Sequence, residues 1–220
     1  MPYKLEKTII FPHVPKTGGT TIQDQLKETD LRVYHDSDAV PGKSRWVRDN
    51  VARRNLECSF LDFSPFDLVY GHFPVERYDS DRYAHVALVR DPVDRAISHY
   101  LYAIWRYRNR PNLAAEQRAN LKAVGEGEVD FLEFIRQHRM NKFYKQFLGY
   151  WDKSRFILIG DTSRYGEFIG QLNELLGTSF TASVQRRKRE DTAFALSAEE
   201  EKAARKYLAD ECAWYEAFVS

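Results

Sequence analysis

Pro15-Lys16-Thr17-Gly18-Gly19-Thr20-Thr21 puts a lysine, two adjacent glycines and three hydroxyls into seven residues between an apolar strand and a helix. Glycines let backbone N–H groups come close to an anion, and the opening turn of a helix offers unpaired N–H donors with a favourable dipole. Lys16 adds a full positive charge, and Thr17, Thr20 and Thr21 add hydroxyl donors. The chemistry is that of a cradle for a phosphate-like group. An ordinary strand–turn–helix junction with a surface lysine is the competing reading, and the packing of lysine and three threonines around the glycine pair favours the cradle. The stretch is not a Walker A loop, which needs four residues between its glycines and a lysine directly after the second. No Gly-Lys-Ser/Thr occurs in the chain, which argues against a nucleoside triphosphatase or an ordinary P-loop kinase.

A second constellation is Arg90-Asp91-Pro92-Val93-Asp94-Arg95-Ala96-Ile97-Ser98. Arg90 closes a strand, where its guanidinium can fork onto a phosphate. Ser98 lies about 9 Å further along the following helix, with its side chain leaning back towards the helix start, so both can meet one anion. Equally, Arg90 can pair with Asp91 or Asp94 while Ser98 packs as a small residue. His72, in Tyr70-Gly71-His72-Phe73, also follows a strand. An imidazole there is either a hydrogen-bonded structural residue or a general base, a task its ordinary pKa near 6.5 suits. His13 reads as structural or as a neighbour of the loop, and His99 points off a different helical face from Ser98.

The elements that must position these groups are short strands alternating with helices. Thr8–Phe11, Leu31–Tyr34, Asp67–Tyr70, His85–Val89 and Phe156–Ile159 read as strands. A helix starts near Gly18 or Gly19 and turns Ile22 and Leu26 inward, and another is expected from Ser44 to Cys58. Asp91 with Pro92 caps the next, Asp130 and Asp161 cap two more, and Gly177 stops the last of these. Ser197 opens a final helix towards Trp214. Such alternation implies a parallel sheet covered by helices, with ligands beyond the carboxyl ends of the strands. The stretches singled out above all lie there.

His13-Val14-Pro15-Lys16-Thr17-Gly18-Gly19-Thr20-Thr21 resembles the 5′-phosphosulfate loop of carbohydrate sulfotransferases, especially the heparan sulfate 2-O- and 6-O-sulfotransferase group. Arg-Asp-Pro-x-x-Arg-x-x-Ser-x-Tyr from Arg90 to Tyr100 is similar to the 3′-phosphate motif of the same family. The resemblance is strongest over residues 8–100. It implies an α/β fold, three-layer and P-loop-like, with a mostly parallel sheet flanked by helices in a single domain over residues 1–220. It also implies a PAPS-dependent O-sulfotransferase. The co-substrate would be 3′-phosphoadenosine 5′-phosphosulfate (PAPS), held by Lys16, Thr17, Gly18, Gly19, Thr20, Thr21, Arg90 and Ser98, with no metal. Sulfuryl transfer demands in-line attack and charge stabilisation. Lys16 would neutralise charge on the departing phosphate, and His72 would be the catalytic base, with Glu76 in reserve because other sulfotransferases use a glutamate. Arg95 and Tyr100 match the motif but are expected to anchor the helix. Arg186-Arg187-Lys188-Arg189 falls where family members carry a loop over the donor; a solvated face reads the run as well.

Composition sets the remaining bounds. A formal charge of +1 makes the whole molecule no binder of nucleic acid, so attraction must be local. Tyr100, Tyr102, Trp105, Arg106, Arg108 and Arg110 form an aromatic–basic stretch that could take an anionic sugar or pack its helix onto the core. Two cysteines, Cys58 and Cys212, make no disulfide framework. The charged N-terminus and the lack of any run of about 20 apolar residues predict no membrane span and a cytoplasmic protein. The acceptor is expected to be a hydroxyl of a saccharide or glycoconjugate. The alternatives are a kinase-like phosphotransferase on a related fold, or a non-catalytic nucleotide- or sugar-binding module.

Overall fold

The computed structural model describes residues 7–36, 62–182 and 194–220. The expected Ser44–Cys58 helix and the Arg186–Arg189 run lie outside the described residues. The chain forms two compact units: residues 1–89, 144–187 and 218–220 make the first, and residues 90–143 and 188–217 the second.

The first unit is an α/β structure, as the alternation of elements predicts. Strands β1 (Thr8–Pro12), β2 (Val33–His35), β3 (Leu68–Gly71), β4 (Tyr83–Val89) and β5 (Phe156–Asp161) pair in the order β2-β3-β1-β4-β5, every pair parallel. All residues of β1 and β3 are buried, which explains their unbroken apolar character. Ile9, Phe11, Leu68, Tyr70, Val86 and Leu88 face Ile22 and Leu26 of α1 (Gly19–Leu26) together with helix residues Phe168, Ile169, Leu172 and Leu176. The opposite face, with Ile10, Val69 and Tyr83, is covered by Phe63, Phe73 and Tyr78. Further along it, the His85 and Phe156 rings meet Trp151 and Phe218.

Several strand boundaries differ from expectation, β4 for instance beginning at Tyr83 rather than His85; a long-range contact accompanies the shift in β2 and a local cap the shift in β5. Strand β2 begins at Val33 rather than Leu31 because the backbone N–H and guanidinium of Arg32 both donate to the Asp67 carboxylate, at 2.8 and 2.7 Å. Those bonds hold the Asp67 carboxyl below the usual carboxylate range. Strand β5 runs on to Asp161, whose carboxylate accepts the Ser163 N–H at 2.6 Å and so caps a single 3₁₀ turn ahead of the helix proper.

In the second unit the polar caps stand where expected. Asp91 accepts from the Val93 and Asp94 N–H groups at the start of α2 (Pro92–Asn109). After α3 (Ala115–Glu126), Asp130 caps α4 (Phe131–Gln137). Helix α5 (Phe143–Leu148) follows and leads into the first unit, which holds α6 (Tyr165–Leu176), closed by Gly177 at φ +65°. Ser197 and Glu200 form a reciprocal capping box on α7 (Ala198–Tyr207). The last helix is broken: Leu208, fully buried, leaves helical geometry before α8 (Ala209–Val219) resumes. Val93, Ala96, Tyr100, Phe131, Phe134, Ala204 and Leu208 form this unit's core. Arg95 and Glu211 are buried within it as a 3.4 Å ion pair, with Arg95 also donating to the Met140 carbonyl and lying 4.3 Å over the Phe143 ring.

Candidate functional site

Strands β1 and β3 finish level, since Pro12 pairs with Gly71 and the His13 N–H donates to the Gly71 carbonyl at 2.6 Å. Two neighbouring strand ends thereby deliver the glycine loop and His72 to the same edge of the sheet.

Within the loop, Lys16 has φ +73° and Gly18 φ +87°. A left-handed lysine costs on the order of 1–3 kcal/mol and persists only where the surroundings impose it. Gly18 is the N-cap of α1 and makes no side-chain capping bond, so the helix start is left to its backbone donors. Gly19 is required by close approach: a Cβ there would stand 2.2 Å from the His13 ring and 2.5 Å from the Tyr70 hydroxyl. The Tyr70 hydroxyl donates to the Gly19 carbonyl at 2.6 Å. Thr17 is buried with its hydroxyl donating to the Val14 carbonyl at 2.8 Å. Its side chain therefore braces the loop, and its backbone is what it can offer an anion. Thr20 is exposed, and Lys16 and Thr21 are half-buried. Tyr165 lies beneath the loop, 3.2 Å from the Cβ position of Gly18, with burial pushing its hydroxyl up to about 12 against the opposing influence of Thr21.

His72 Nδ1 lies 2.7 Å from the His13 carbonyl oxygen. The two imidazoles stack with centroids 4.4 Å apart, His13 stacks in turn on Tyr70 at 5.5 Å, and Phe147 meets His72 edge-on. Burial, then the charges of His72 and Lys16, depress the His13 pKa to about 3. The unfolded chain's imidazole takes its proton near 6.5, so between those values the unfolded state holds the extra proton and stability falls as pH is lowered. At pH 5 the loss is about 2 kcal/mol. Urea titrations at pH 7 and pH 5 should show it, and His13→Phe should flatten the difference.

Arg90 and Ser98 stand in the second unit. Arg90 follows directly on β4 and is half-buried, as is Ser98 on α2. The Asp91 carboxylate is committed to the helix cap and to Arg205 at 3.2 Å. Arg95 and Tyr100 anchor α2 as expected, the latter donating to the Val129 carbonyl. His99 packs against Phe134 and Phe143. Past Tyr100, the Tyr102 and Trp105 rings stack at 5.9 Å, Arg110 lies over Trp105, and Arg108 is exposed. Glu76, the reserve base, lies against Gly149. Sequence reasoning missed Tyr70 and Tyr165: in the pattern of their elements each is indistinguishable from a core tyrosine.

Among the described residues, no group of three or more His, Cys, Asp or Glu could hold a metal ion, and no helix is long and apolar enough to cross a membrane.

A model described as "Sulfotransferase family" matches residues 3–211. Heparin sulfate O-sulfotransferase of Drosophila melanogaster is 28% identical over 130 residues, 51% of this chain and 34% of that protein. The chain thus spans about a third of that relative. A crystal structure of a sulfotransferase from Alicyclobacillus acidocaldarius aligns with TM-score 0.45 and 15% identity, covering 97% of this chain and 95% of the other. Mouse sulfotransferase SULT7A1 complexed with PAP aligns with TM-score 0.38 and 17% identity over 94% and 64% of the two chains.

Proposed function

Because the chain belongs to the sulfotransferase family, we propose that it moves the sulfuryl group of PAPS onto a hydroxyl of a saccharide or glycoconjugate. The observation that carries this reading is the seating of the Lys16 loop and His72 on adjoining strand ends, joined by the 2.7 Å contact between His72 and the His13 carbonyl. The loop fits a phosphate-like dianion by its own construction, with a left-handed lysine and glycine ahead of a helix start that no side chain caps.

When bound, PAPS supplies an electrophilic sulfur and a stable bisphosphate leaving group. The backbone N–H groups of residues 17–20 hold the 5′-phosphate, and Lys16 offsets the negative charge that grows there as the bond to sulfur breaks. Arg90 and Ser98 hold the 3′-phosphate, the arginine by a charge-assisted pair of hydrogen bonds. His72 takes the acceptor's hydroxyl proton as the oxygen attacks in line. Two features support a saccharide acceptor: the name of the Drosophila relative, and the stacked Tyr102 and Trp105 beside exposed basic side chains, which suit sugar rings carrying negative charge.

Calorimetric titration with adenosine 3′,5′-bisphosphate (PAP) and with Mg-ATP tests the reading, followed by a screen of neutral and anionic saccharides with sulfur-labelled PAPS. The bisphosphate should bind in preference to ATP. Lys16→Ala should weaken bisphosphate binding about 10- to 100-fold, as expected for loss of a hydrogen bond to a charged group. It should lower turnover by roughly 10²- to 10³-fold. Preference for ATP, or unchanged bisphosphate affinity in Lys16→Ala, would overturn the assignment.

A further inference from the structure

Each polar part of His13 has a separate engagement. Its N–H donates to the Gly71 carbonyl at the end of β3, and its own carbonyl oxygen lies 2.7 Å from His72 Nδ1. Its ring is sandwiched between Tyr70 and His72 and abuts Gly19 closely enough to forbid a Cβ there. A carbonyl oxygen can only accept, so His72 Nδ1 carries a proton. In the neutral ring that leaves the lone pair on Nε2.

We propose that His13 is a positioning residue that holds His72 in the Nδ1–H tautomer and ties the orientation of its ring to the anion loop. The main chain of His13 sets the tautomer, and its ring sets the plane. Because the same ring rests on Gly19, whose carbonyl Tyr70 clamps, movement at the start of α1 is felt by the base through a single layer of stacked rings. His13 is suited to the position by staying uncharged: its pKa of about 3 keeps a second cation away from His72 across the working pH range. When His72 gains the acceptor's proton, the bond from Nδ1–H to the His13 carbonyl becomes charge-assisted and strengthens. This resembles the role of a carboxylate behind a catalytic histidine, with a neutral peptide oxygen in its place.

The inference rests on the reading of His72 as the base, but it can be tested apart from that reading. Long-range proton–nitrogen spectra of ¹⁵N-histidine-labelled protein, with His72→Asn used to assign the signal, report the tautomer directly. The intact chain should show His72 protonated at Nδ1 and unprotonated at Nε2 in its neutral form. His13→Ala keeps the carbonyl but removes the ring that fixes the plane of His72, so His72 should swing off that carbonyl and show exchange between both tautomers, with turnover lower by on the order of 10²-fold, as for a misplaced reacting group. His13→Phe keeps the stack and should restore the single tautomer. An Nε2–H tautomer in the intact chain, or an unchanged His72 signal in His13→Ala, overturns the proposal. If His13→Ala fails to fold, the intact and His13→Phe spectra still decide, since an Nε2–H tautomer in either is fatal. A chain with the expected spectra but no sulfuryl transfer would sink the functional reading while leaving the positioning role standing.

Discussion

His72→Asn should lower turnover by about 10²- to 10⁴-fold, the usual worth of a general base, while bisphosphate affinity and thermal midpoint stay near those of the unaltered chain. Asparagine is the informative replacement because its amide N–H₂ can reproduce the donation that His72 Nδ1 makes to the His13 carbonyl at 2.7 Å. What it lacks is a basic nitrogen. Loss of turnover with binding and folding preserved therefore isolates proton transfer from architecture. Turnover within threefold of the starting value would remove His72 as the base and return attention to Glu76, which lies against Gly149.

The second large effect is expected on stability. Arg95 sits in the middle of the Arg90–Ser98 stretch but is wholly buried in the second unit, paired with the equally buried Glu211. Removing one member of such a pair strands a charge without water, which costs about 3–5 kcal/mol. Glu211→Ala should therefore lower the unfolding free energy obtained from urea denaturation by that amount. Replacing both residues, as in Arg95→Met with Glu211→Leu, should recover most of the loss, because the penalty lies in the uncompensated guanidinium rather than in the missing attraction. Equal destabilisation by the single and double changes would show that shape, not charge, holds this part of the core.

The contrast between Arg90 and Arg95 marks how far residue order could be read. The local devices were legible. Asp91 followed by Pro92, Asp130 before Phe131, the Ser197–Glu200 box and Gly177 all act within one helical turn, so their effect is written in adjacent residues. The glycine loop was legible as a loop for the same reason. What depended on distant partners was not. Arg32 delays β2 by bonding to Asp67, 35 positions away. Leu208 breaks the last helix to bury its own side chain, a choice that only the packed core dictates. His13 and His72 are 59 positions apart, and nothing in either neighbourhood foretells that their rings stack. Thr17 read as a ligand donor, whereas its hydroxyl is turned onto Val14 once the loop closes.

The left-handed backbone at Lys16 sets durability against usefulness at one position. Glycine there would adopt the same dihedral angles without steric penalty and so give a hardier fold, yet it would delete the cation. A programme of directed evolution that selects for heat resistance alone should accumulate glycine or asparagine at residue 16 and lose activity in step. Selection for turnover should restore lysine at once, even in otherwise thermostable backgrounds.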